Sequence, residues 1–378
     1  MPSSSPPGRP AQFSTRIAFF AAGFAIAAWA PLIPFVKARA GLDDGQLGVL
    51  LLCCGAGSII AMPVAGALAG RYGCRSVLVA SMAAMALALP PVAAISNIYL
   101  LAAALVFFGA SVGSVDCTVN IQAVIVERAS GRPMMSGFHG LWSVGGIAGS
   151  AGASALLALG ALPLAAALGA AGSVLVALAV AAPHFIAQSG GPAGPAFAIP
   201  RGAVLLIGTL CFVLFLAEGA VLDWSAVFLA QTRGVDAAYA GLGYTAFSLA
   251  MTAGRLAGDA IVRRLGGARV ILLGSICAAS GLALATLAPA WLAGLAGFAL
   301  VGAGCANIVP VLFTAAGRQT DMPESIAVPA VTTMGYAGIL AGPALIGFVS
   351  HATSLPVAFL LLAAALLGVA ASARLLRL

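Results

Sequence analysis

The sequence predicts an all-α polytopic membrane protein with twelve transmembrane helices in two pseudo-symmetric six-helix bundles. Its composition, its apolar runs and an internal repeat each indicate this fold class. Apolar residues make up 62% of the 378 residues and charged residues only 7%, whereas about a quarter of the residues in soluble domains are charged. The composition therefore excludes a soluble domain and makes the lipid bilayer the expected surroundings of the chain.

Twelve apolar runs are long enough to cross a bilayer, which takes about 20 residues as a helix. They cover approximately 17–36, 46–69, 77–96, 98–126, 135–158, 161–182, 203–230, 239–262, 269–288, 290–316, 325–350 and 355–373. Six runs in each half predict an N-terminal six-helix bundle over 1–183, a cytoplasmic linker over 184–202 and a C-terminal six-helix bundle over 203–378. The linker is short and rich in glycine and proline, so we expect no soluble domain there.

An internal repeat relates the two halves at a constant offset of 193 residues, which is the distance from Arg71 to Arg264. The matched pairs are Asp43 and Asp236, Gly48 and Gly241, Arg71 and Arg264, Gly73 and Gly266, Gly109 and Gly302, and Gly149 and Gly342. Because the offset is unchanged across loops and helices, the chain is predicted to contain two copies of one unit. Two similar bundles can rock about a central binding site, which favours a solute carrier.

The basic residues predict the orientation in the membrane. If the N-terminus is cytoplasmic, the far side holds only Lys37, Arg39 and Arg233. The cytoplasmic side then holds thirteen arginines, namely Arg9, Arg16, Arg71, Arg75, Arg128, Arg132, Arg201, Arg263, Arg264, Arg269, Arg318, Arg374 and Arg377. This bias predicts a multi-pass protein of the cell inner (plasma) membrane with both termini cytoplasmic. Since the basic residues lie between apolar spans, the net charge of +7 does not indicate a nucleic-acid partner.

A loop motif follows the second span and reads Gly66-Ala67-Leu68-Ala69-Gly70-Arg71-Tyr72-Gly73-Cys74-Arg75. This stretch resembles the G-x-L-x-D-R-x-G-x-R signature of the major facilitator superfamily, except that Gly70 stands where that family has an aspartate. The missing carboxylate puts the usual contact of this loop in question.

The second half carries a variant of the motif, Gly254-Arg255-Leu256-Ala257-Gly258-Asp259, followed by Arg263-Arg264-Leu265-Gly266. Arg255 and Asp259 are four residues apart and share one helical face, so we predict that they pair. A gating or structural role is expected for the motif residues of both halves, which are Gly66, Arg71, Gly73, Arg75, Arg255, Asp259 and Arg264.

Further matching stretches are spread along most of the chain. They are Asn120-Ile121-Gln122 to Glu127, Met135-Ser136-Gly137-Phe138-His139-Gly140-Leu141-Trp142-Ser143, Ala217-Glu218-Gly219 with Asp223-Trp224-Ser225, and Gly335-Tyr336-Ala337-Gly338 through Gly342-Pro343. These stretches resemble the MosC-like branch of the superfamily, near the fucose permeases. The resemblance implies a twelve-helix fold and proton-linked or efflux transport, and it does not name the cargo.

The fourth span carries the clearest polar pattern, because Gly109, Gly113, Asp116 and Asn120 recur at helical spacing. A charge at a helix centre costs about 2.5 to 3.5 kcal/mol on insertion scales. We predict that this face borders a wet cavity and that Asp116 couples transport to protons, because a neutral carboxylic acid tolerates desolvation better. The D-x-x-x-N spacing also resembles the fourth helix of the fucose permeases, where the acid is a glutamate. The alternative is a carboxylate bonded permanently to neighbouring helices.

The seventh span adds Glu218 and Asp223, which are five residues apart and point about 140° from each other around a helix. They cannot both face one solute. Glu218 shares its face with Ser225 and is the second candidate for proton coupling. Asp223 lies near the external end of the span, where it is a candidate substrate contact or a structural group.

Aromatic and amide side chains are the candidate substrate contacts. The tryptophans offer flat apolar faces with one donor each, although those at span ends can instead be interfacial anchors. The full set is Trp29, Trp142, Trp224, Asn120, Gln122, Asn307, His139 and Asp223. Two pairs of small residues, Gly145 with Gly149 and Gly338 with Gly342, predict close helix packing in equivalent places of both halves.

The sequence distinguishes three classes of function, which are a transporter, an intramembrane enzyme and a passive channel. The chain has no P-loop, no G-x-S-x-G or H-E-x-x-H motif, and seven cysteines without metal-ligand spacing, so we expect no enzyme activity, no cofactor and no metal. Intramembrane acids favour alternating access over a passive channel. We therefore expect a monomeric secondary active transporter, coupled to protons, for a sugar-like or other small polar solute. The alternative is proton-driven efflux of amphipathic compounds.

Overall fold

The structure is a computed structural model that describes residues 8–42, 44–187, 199–235 and 241–375. Asp43 and Asp236 of the repeat, and Arg377 of the charge count, lie outside the described residues. Within the described ranges the chain forms fourteen α-helices and no strand. An all-helical fold is expected in lipid, because a helix satisfies its own backbone hydrogen bonds.

The first half contributes seven helices, which are α1 (Arg9–Trp29), α2 (Ile33–Ala40), α3 (Asp44–Tyr72), α4 (Cys74–Ala94), α5 (Ile98–Ser130), α6 (Met135–Ala158) and α7 (Pro163–Ala181). The second half contributes the other seven, which are α8 (Gly202–Arg233), α9 (Leu242–Leu265), α10 (Gly267–Leu287), α11 (Trp291–Cys305), α12 (Ile308–Arg318), α13 (Glu324–Ala352) and α14 (Leu355–Ser372).

Eleven of the described helical segments are long and apolar enough to cross a membrane. Two of them combine consecutive helices, namely Arg9–Ala40 over α1 and α2, and Trp291–Arg318 over α11 and α12. The remaining predicted span corresponds to α9, whose apolar character is reduced by Arg255, Asp259 and two further arginines. With α9 included, the helices match the twelve predicted spans, so the predicted fold class is confirmed.

The chain divides into two compact units. Unit 1 contains Met1–Arg132, Leu141–Ile199 and Met322–Ala330, and unit 2 contains Pro133–Gly140, Pro200–Asp321 and Val331–Leu378. Each unit therefore consists mainly of one half of the chain and includes a short segment from the other half. The two short segments contain the first turns of α6 and of α13.

The same helix-capping interaction occurs in both units. In unit 1, Arg39 at the end of α2 donates to the carbonyl oxygen of Val92 near the end of α4, at 3.2 Å. In unit 2, Arg233 at the end of α8 donates to the carbonyl oxygen of Ala285 near the end of α10, at 2.9 Å. Cationic side chains at a helix C-terminus satisfy carbonyl groups that have no partner within the helix.

Close helix crossings are also repeated. A Cβ atom at Gly109 in unit 1 would lie 1.9 Å from the carbonyl oxygen of Cys54, and one at Gly302 in unit 2 would lie 2.1 Å from that of Phe247. Both glycines and both carbonyls are related by the offset of 193 residues. Small residues allow helix backbones to approach this closely, and the two halves use them at equivalent positions.

The predicted glycine pairs also lie at helix crossings. Cβ atoms at Gly145 and Gly149 of α6 would lie 2.1 and 2.2 Å from carbonyl oxygens of α1, and one at Gly338 of α13 would lie 2.3 Å from that of Phe212. Gly342 has more space, because its nearest neighbouring atom would be 3.5 Å away. Three of the four glycines are therefore at positions that exclude a larger side chain.

We expect Gly149→Ala to destabilise the protein by about 1 to 3 kcal/mol or more, because its methyl group would overlap the carbonyl oxygen of Phe24. Gly152→Ala in the same helix is the matched control, since a Cβ there meets no atom within 4 Å and alanine favours the helix. Thermal unfolding of the purified proteins in detergent measures the difference. Equal stability of the two variants would contradict the close crossing.

Candidate functional site

Asp116 and Asn120 form a buried polar pair on α5 in unit 1. Asp116 is 8% exposed and Asn120 is fully buried. The Asn120 amide donates to the Asp116 carboxylate at 3.0 Å and to the Asp116 carbonyl oxygen at 2.9 Å. The spacing of four residues brings the two side chains together on one face of the helix. Asp116 is therefore turned into the protein rather than toward lipid.

The glycines on the same face of α5 have a different environment from the one expected. A Cβ at Gly109 or Gly113 would lie 1.9 or 2.6 Å from backbone oxygens of α3, those of Cys54 and Ser58. The prediction that these glycines border a wet cavity is wrong, because the backbone of α3 fills the space beside them. Ser58 also donates to the Gly109 carbonyl oxygen at 2.7 Å.

Gln122, a predicted substrate contact, is fully buried in unit 1. Its amide nitrogen donates to the hydroxyl group of Thr15 on α1 at 2.9 Å, and its amide oxygen accepts from the backbone N–H of Ile186 at 3.0 Å. Both ends of the amide are thus used to join α1, α5 and the segment after α7. This geometry favours a structural role for Gln122.

Two predicted tryptophans lie in unit 1. Trp29, the last residue of α1, is buried at 6% exposure. Trp142 on α6 is partly exposed and its ring packs edge-on against Phe19 at 6.5 Å. Of the two, Trp142 has the more accessible ring and remains the better candidate for contact with a solute.

Unit 2 contains a buried ion pair between two helices. The guanidinium of Arg255 on α9 lies 3.6 Å from the carboxylate of Glu218 on α8, and the two side chains are 10% and 15% exposed. The sequence predicts that Asp259 pairs with Arg255. In the structure, the Asp259 carboxylate accepts a hydrogen bond from the backbone N–H of Gly137 at 3.0 Å, and the pairing with Arg255 stays a prediction. The sequence predicted proton coupling for Glu218 and a gating or structural role for Arg255 and Asp259, but it did not predict that Glu218 pairs with Arg255.

A break between α11 and α12 lies beside this ion pair. α11 ends at Cys305 and α12 begins at Ile308. Pro310 has no N–H group, so the carbonyl oxygen of Ala306 cannot receive the usual helical hydrogen bond. The Nε of Arg255 donates to that oxygen at 3.4 Å. Discontinuous helices with free carbonyl groups are common at the binding sites of secondary transporters.

Asn307 and His139 complete the polar surroundings of the break. The Asn307 amide nitrogen donates to the carbonyl oxygen of Gly254 at 3.0 Å, while its buried amide oxygen has no hydrogen-bond partner in the described part of the chain. The His139 ring lies 5.7 Å from the ring of Phe313, within electrostatic range of Arg255. Unit 2 thus gathers predicted proton-coupling, gating and substrate residues at one place.

Asp223 and Trp224 lie further along α8. Asp223 is exposed, whereas Trp224 is partly buried. The indole nitrogen of Trp224 is buried and makes no hydrogen bond within the described ranges. Part of its ring would lie 3.3 Å from a Cβ at Gly347 of α13. Trp224 therefore packs against α13, and its role as a substrate contact stays a prediction.

The loop motif of the first half lies close to the start of α13, within unit 1. A Cβ at Gly66 would lie 2.1 Å from the ring of Pro329. Nearby, Arg128 at the end of α5 forms a 2.7 Å ion pair with Glu324, the first residue of α13. This pair was not predicted from the sequence. The sequence does mark Glu324 as a residue that stabilises the start of a helix, because it is acidic and lies in the first turn, but it does not indicate Arg128 as the partner.

Three arginines of the loop motifs, Arg71, Arg75 and Arg264, are exposed at helix ends. Arg71 lies over the ring of Tyr72 at 5.2 Å. Gly73 and Gly266 end their helices with φ angles of 81° and 77°, which favour glycine because they lie in a region that L side chains rarely adopt. The gating or structural roles of these residues stay predictions.

Known proteins are similar to this chain over nearly its whole length. It is 54% identical over 369 residues to an uncharacterised MFS-type transporter of Yersinia pestis, with 97% of this chain and 96% of that protein covered. It is 31% identical to the membrane protein MosC of Rhizobium meliloti over 352 residues, with 92% and 85% covered. No family model matches the chain.

The chain belongs to the major facilitator superfamily. As a member of this superfamily it is a multi-pass membrane protein that carries out secondary transport of a small solute, and it is not an enzyme. The resemblance of the sequence to the MosC-like branch is confirmed by the relative in Rhizobium meliloti.

Solved structures agree with this assignment. The major facilitator fold of this chain matches the fucose:proton symporter of E. coli with a TM-score of 0.78 at 17% identity, covering 97% of this chain and 98% of the symporter. It also matches the human organic anion transporter MFSD10 with a TM-score of 0.73 at 16% identity, covering 98% and 100%. At these identities the matches concern the fold alone.

We expect the Glu218 and Arg255 substitutions in this major facilitator transporter to be strongly coupled. Removing one partner of a buried pair costs about 3 to 5 kcal/mol, and the partial exposure of both side chains reduces that cost. Glu218→Gln and Arg255→Gln should each lower the midpoint of thermal unfolding, while the double variant should recover most of the loss. Asp223→Asn, an exposed carboxylate on the same helix, is the control. Additive effects of the two substitutions would show that the pair does not contribute to stability.

Proposed function

We propose that this chain is a proton-coupled transporter of a sugar-like or other small polar solute. It works by alternating access in the inner (plasma) membrane, with both termini cytoplasmic. The observation that carries the proposal is the buried Asp116–Asn120 pair within a transmembrane helix of unit 1. A carboxylate held at such a depth is expensive, and a role in carrying protons explains why it is present.

The chemistry of the pair suits reversible protonation. The Asn120 amide donates to Asp116 and so stabilises its charged form while water is accessible. Protonation removes the charge, and the neutral acid can then be enclosed at a much lower desolvation cost. Proton binding would therefore bias the transporter toward the state in which Asp116 is sealed from water, and proton release would require access to the other side of the membrane.

The solute contacts proposed here include Trp142, which is partly exposed in unit 1, and Asn307 and Trp224 of unit 2, each of which has a buried polar atom without a hydrogen-bond partner in the described ranges. We add Asn120, beside Asp116, and His139, beside Phe313, because of the polar groups next to them. The fucose:proton symporter, whose fold this chain shares, shows that this fold can combine a polar solute with a proton. We leave out Gln122, because both ends of its amide are used within the protein.

The solute class is tested first by thermal unfolding. Purified protein is heated with sugars, polyols, nucleosides and cationic drugs, since a ligand stabilises the folded state that it binds. Stabilisation by polar solutes supports the proposal. Stabilisation by amphipathic drugs alone would favour proton-driven efflux of amphipathic compounds and would contradict the proposed solute class.

We expect Asp116→Asn to abolish proton-coupled flux of a solute found in this way. In liposomes containing the variant, an inward pH gradient should drive no more uptake than in liposomes without protein. Exchange of labelled for unlabelled solute should persist, because the substitution keeps the size and hydrogen bonding of the side chain. Asp321→Asn is the matched control, since Asp321 accepts a hydrogen bond from the first turn of α8 at 2.7 Å and asparagine is also a good cap. Unchanged pH-driven uptake by Asp116→Asn would refute the assignment.

A further inference from the structure

An arginine in the middle of a transmembrane helix needs a physical explanation. Arg255 lies in the middle third of α9, and its partner Glu218 lies in the middle third of α8. The break at Ala306 also lies in the middle third of its span, Trp291–Arg318. Charged side chains at such depths are rare and usually mark a solute or ion pathway, and transporter sites are typically near the bilayer midplane.

The Glu218–Arg255 pair is held loosely. Its atoms are 3.6 Å apart, beyond a normal hydrogen bond, and the buried Glu218 Oε1 makes no hydrogen bond within the described ranges. The Arg128–Glu324 pair in unit 1 also has one carboxylate oxygen without a hydrogen bond in the described ranges, but its contact is closer, because the paired atoms are 2.7 Å apart and hydrogen-bonded. A pair that only stabilises the fold would be expected to have the closer geometry. The longer distance favours a pair that exchanges partners.

We propose that Arg255 binds the acid group of an anionic solute, such as a sugar acid or a hydroxy acid, and that Glu218 occupies this arginine when the site is empty. The proposal rests on the proposed transport function and specifies the solute class further. Its basis is Arg255 in the middle third of α9, whose NH2 atom faces Glu218 at 3.6 Å and whose Nε faces the Ala306 carbonyl oxygen. Guanidinium groups suit planar carboxylates well, because they present several donors in one plane.

The exchange keeps the charge of the site balanced. In the empty state, the negative Glu218 faces the positive Arg255. When the solute carboxylate contacts the guanidinium, a proton from water binds a Glu218 carboxylate oxygen, because two carboxylates at one arginine repel each other. Glu218 is then neutral, and the solute supplies the negative charge. The site, counted with any bound solute, has zero net charge in both states, which avoids the cost of burying an uncompensated charge.

The other titratable groups near the pair come from four helices. Cys211 on α8 and Cys305 on α11 lie within electrostatic range of Glu218, and His139 on α6 lies within range of Arg255. Asp259 is one turn from Arg255 on α9. Because Glu218 is the group that must take up the proton, binding of an anion should strengthen as the pH falls.

The test compares acids with their neutral counterparts. Gluconate with sorbitol, galacturonate with galactose, and lactate with propane-1,2-diol are each added at about 10 mM to purified protein, and the unfolding midpoint is measured. We expect at least one acid to raise the midpoint and its neutral counterpart to have no effect. The midpoint shift should be larger at about pH 6 than at about pH 8. No stabilisation by any acid, or equal stabilisation by acid and neutral counterpart, would overturn the proposal.

Variants of Glu218 and Arg255 then show which residue binds the acid, when their affinity for an acid that stabilises the unchanged protein is measured. Glu218→Gln should bind the acid more tightly at the higher pH and lose the pH dependence, because it mimics the protonated glutamate. Arg255→Gln should weaken binding about tenfold or more, and Arg255→Lys should bind more weakly than the unchanged protein. Since Arg255→Gln leaves Glu218 unpaired, the double variant Glu218→Gln with Arg255→Gln tests the same point without a buried charge. Binding of the acid by the double variant with unchanged affinity would overturn the role of Arg255.

Failure of the anionic solute class can be distinguished from failure of the proposed transport function. The binding test needs no membrane gradient, whereas proton coupling through Asp116 is measured by flux in liposomes. If neutral sugars drive proton flux and acids do not bind, the proposed transport function stands and the anionic solute class fails. If acids bind through Arg255 but no proton flux accompanies their transport, the solute class stands and the proton coupling fails.

Discussion

The lack of water in the bilayer core is the constraint on which this structure depends. Every backbone polar group in a span must be satisfied within the protein, so the described spans are helical and the exceptions are informative. Arg39 and Arg233 donate to carbonyl groups at helix ends, and Arg255 donates to the Ala306 carbonyl oxygen left free by Pro310. In each case a cation replaces a missing backbone donor.

The same constraint explains how the helices pack. Lipid tails are as apolar as the side chains, so association of helices relies on close contact rather than on exclusion of water. Gly109 and Gly302 allow equivalent backbone approaches in the two units. The repeat has therefore retained the parts of the structure that hold the helices together.

The chemistry, in contrast, differs between the two halves. At the offset of 193 residues, Asp116 corresponds to Val309, Glu218 to Ala25 and Arg255 to Met62. The first half thus has a protonatable aspartate where the second has a valine, and the second has an ion pair where the first has alanine and methionine. A duplicated scaffold with different polar groups can divide proton coupling and solute binding between its halves.

The sequence by itself determined the membrane environment, the twelve helices and the repeat, because these depend on composition and local periodicity. It also identified Asp116 with Asn120, whose four-residue spacing places both side chains on one face of the helix. Tertiary structure alone decided that Glu218 faces Arg255, that Arg128 faces Glu324, and that Gly109 packs against α3 rather than beside water. Such contacts join residues far apart in the chain, and their formation depends on which helices are neighbours and how each is rotated about its axis.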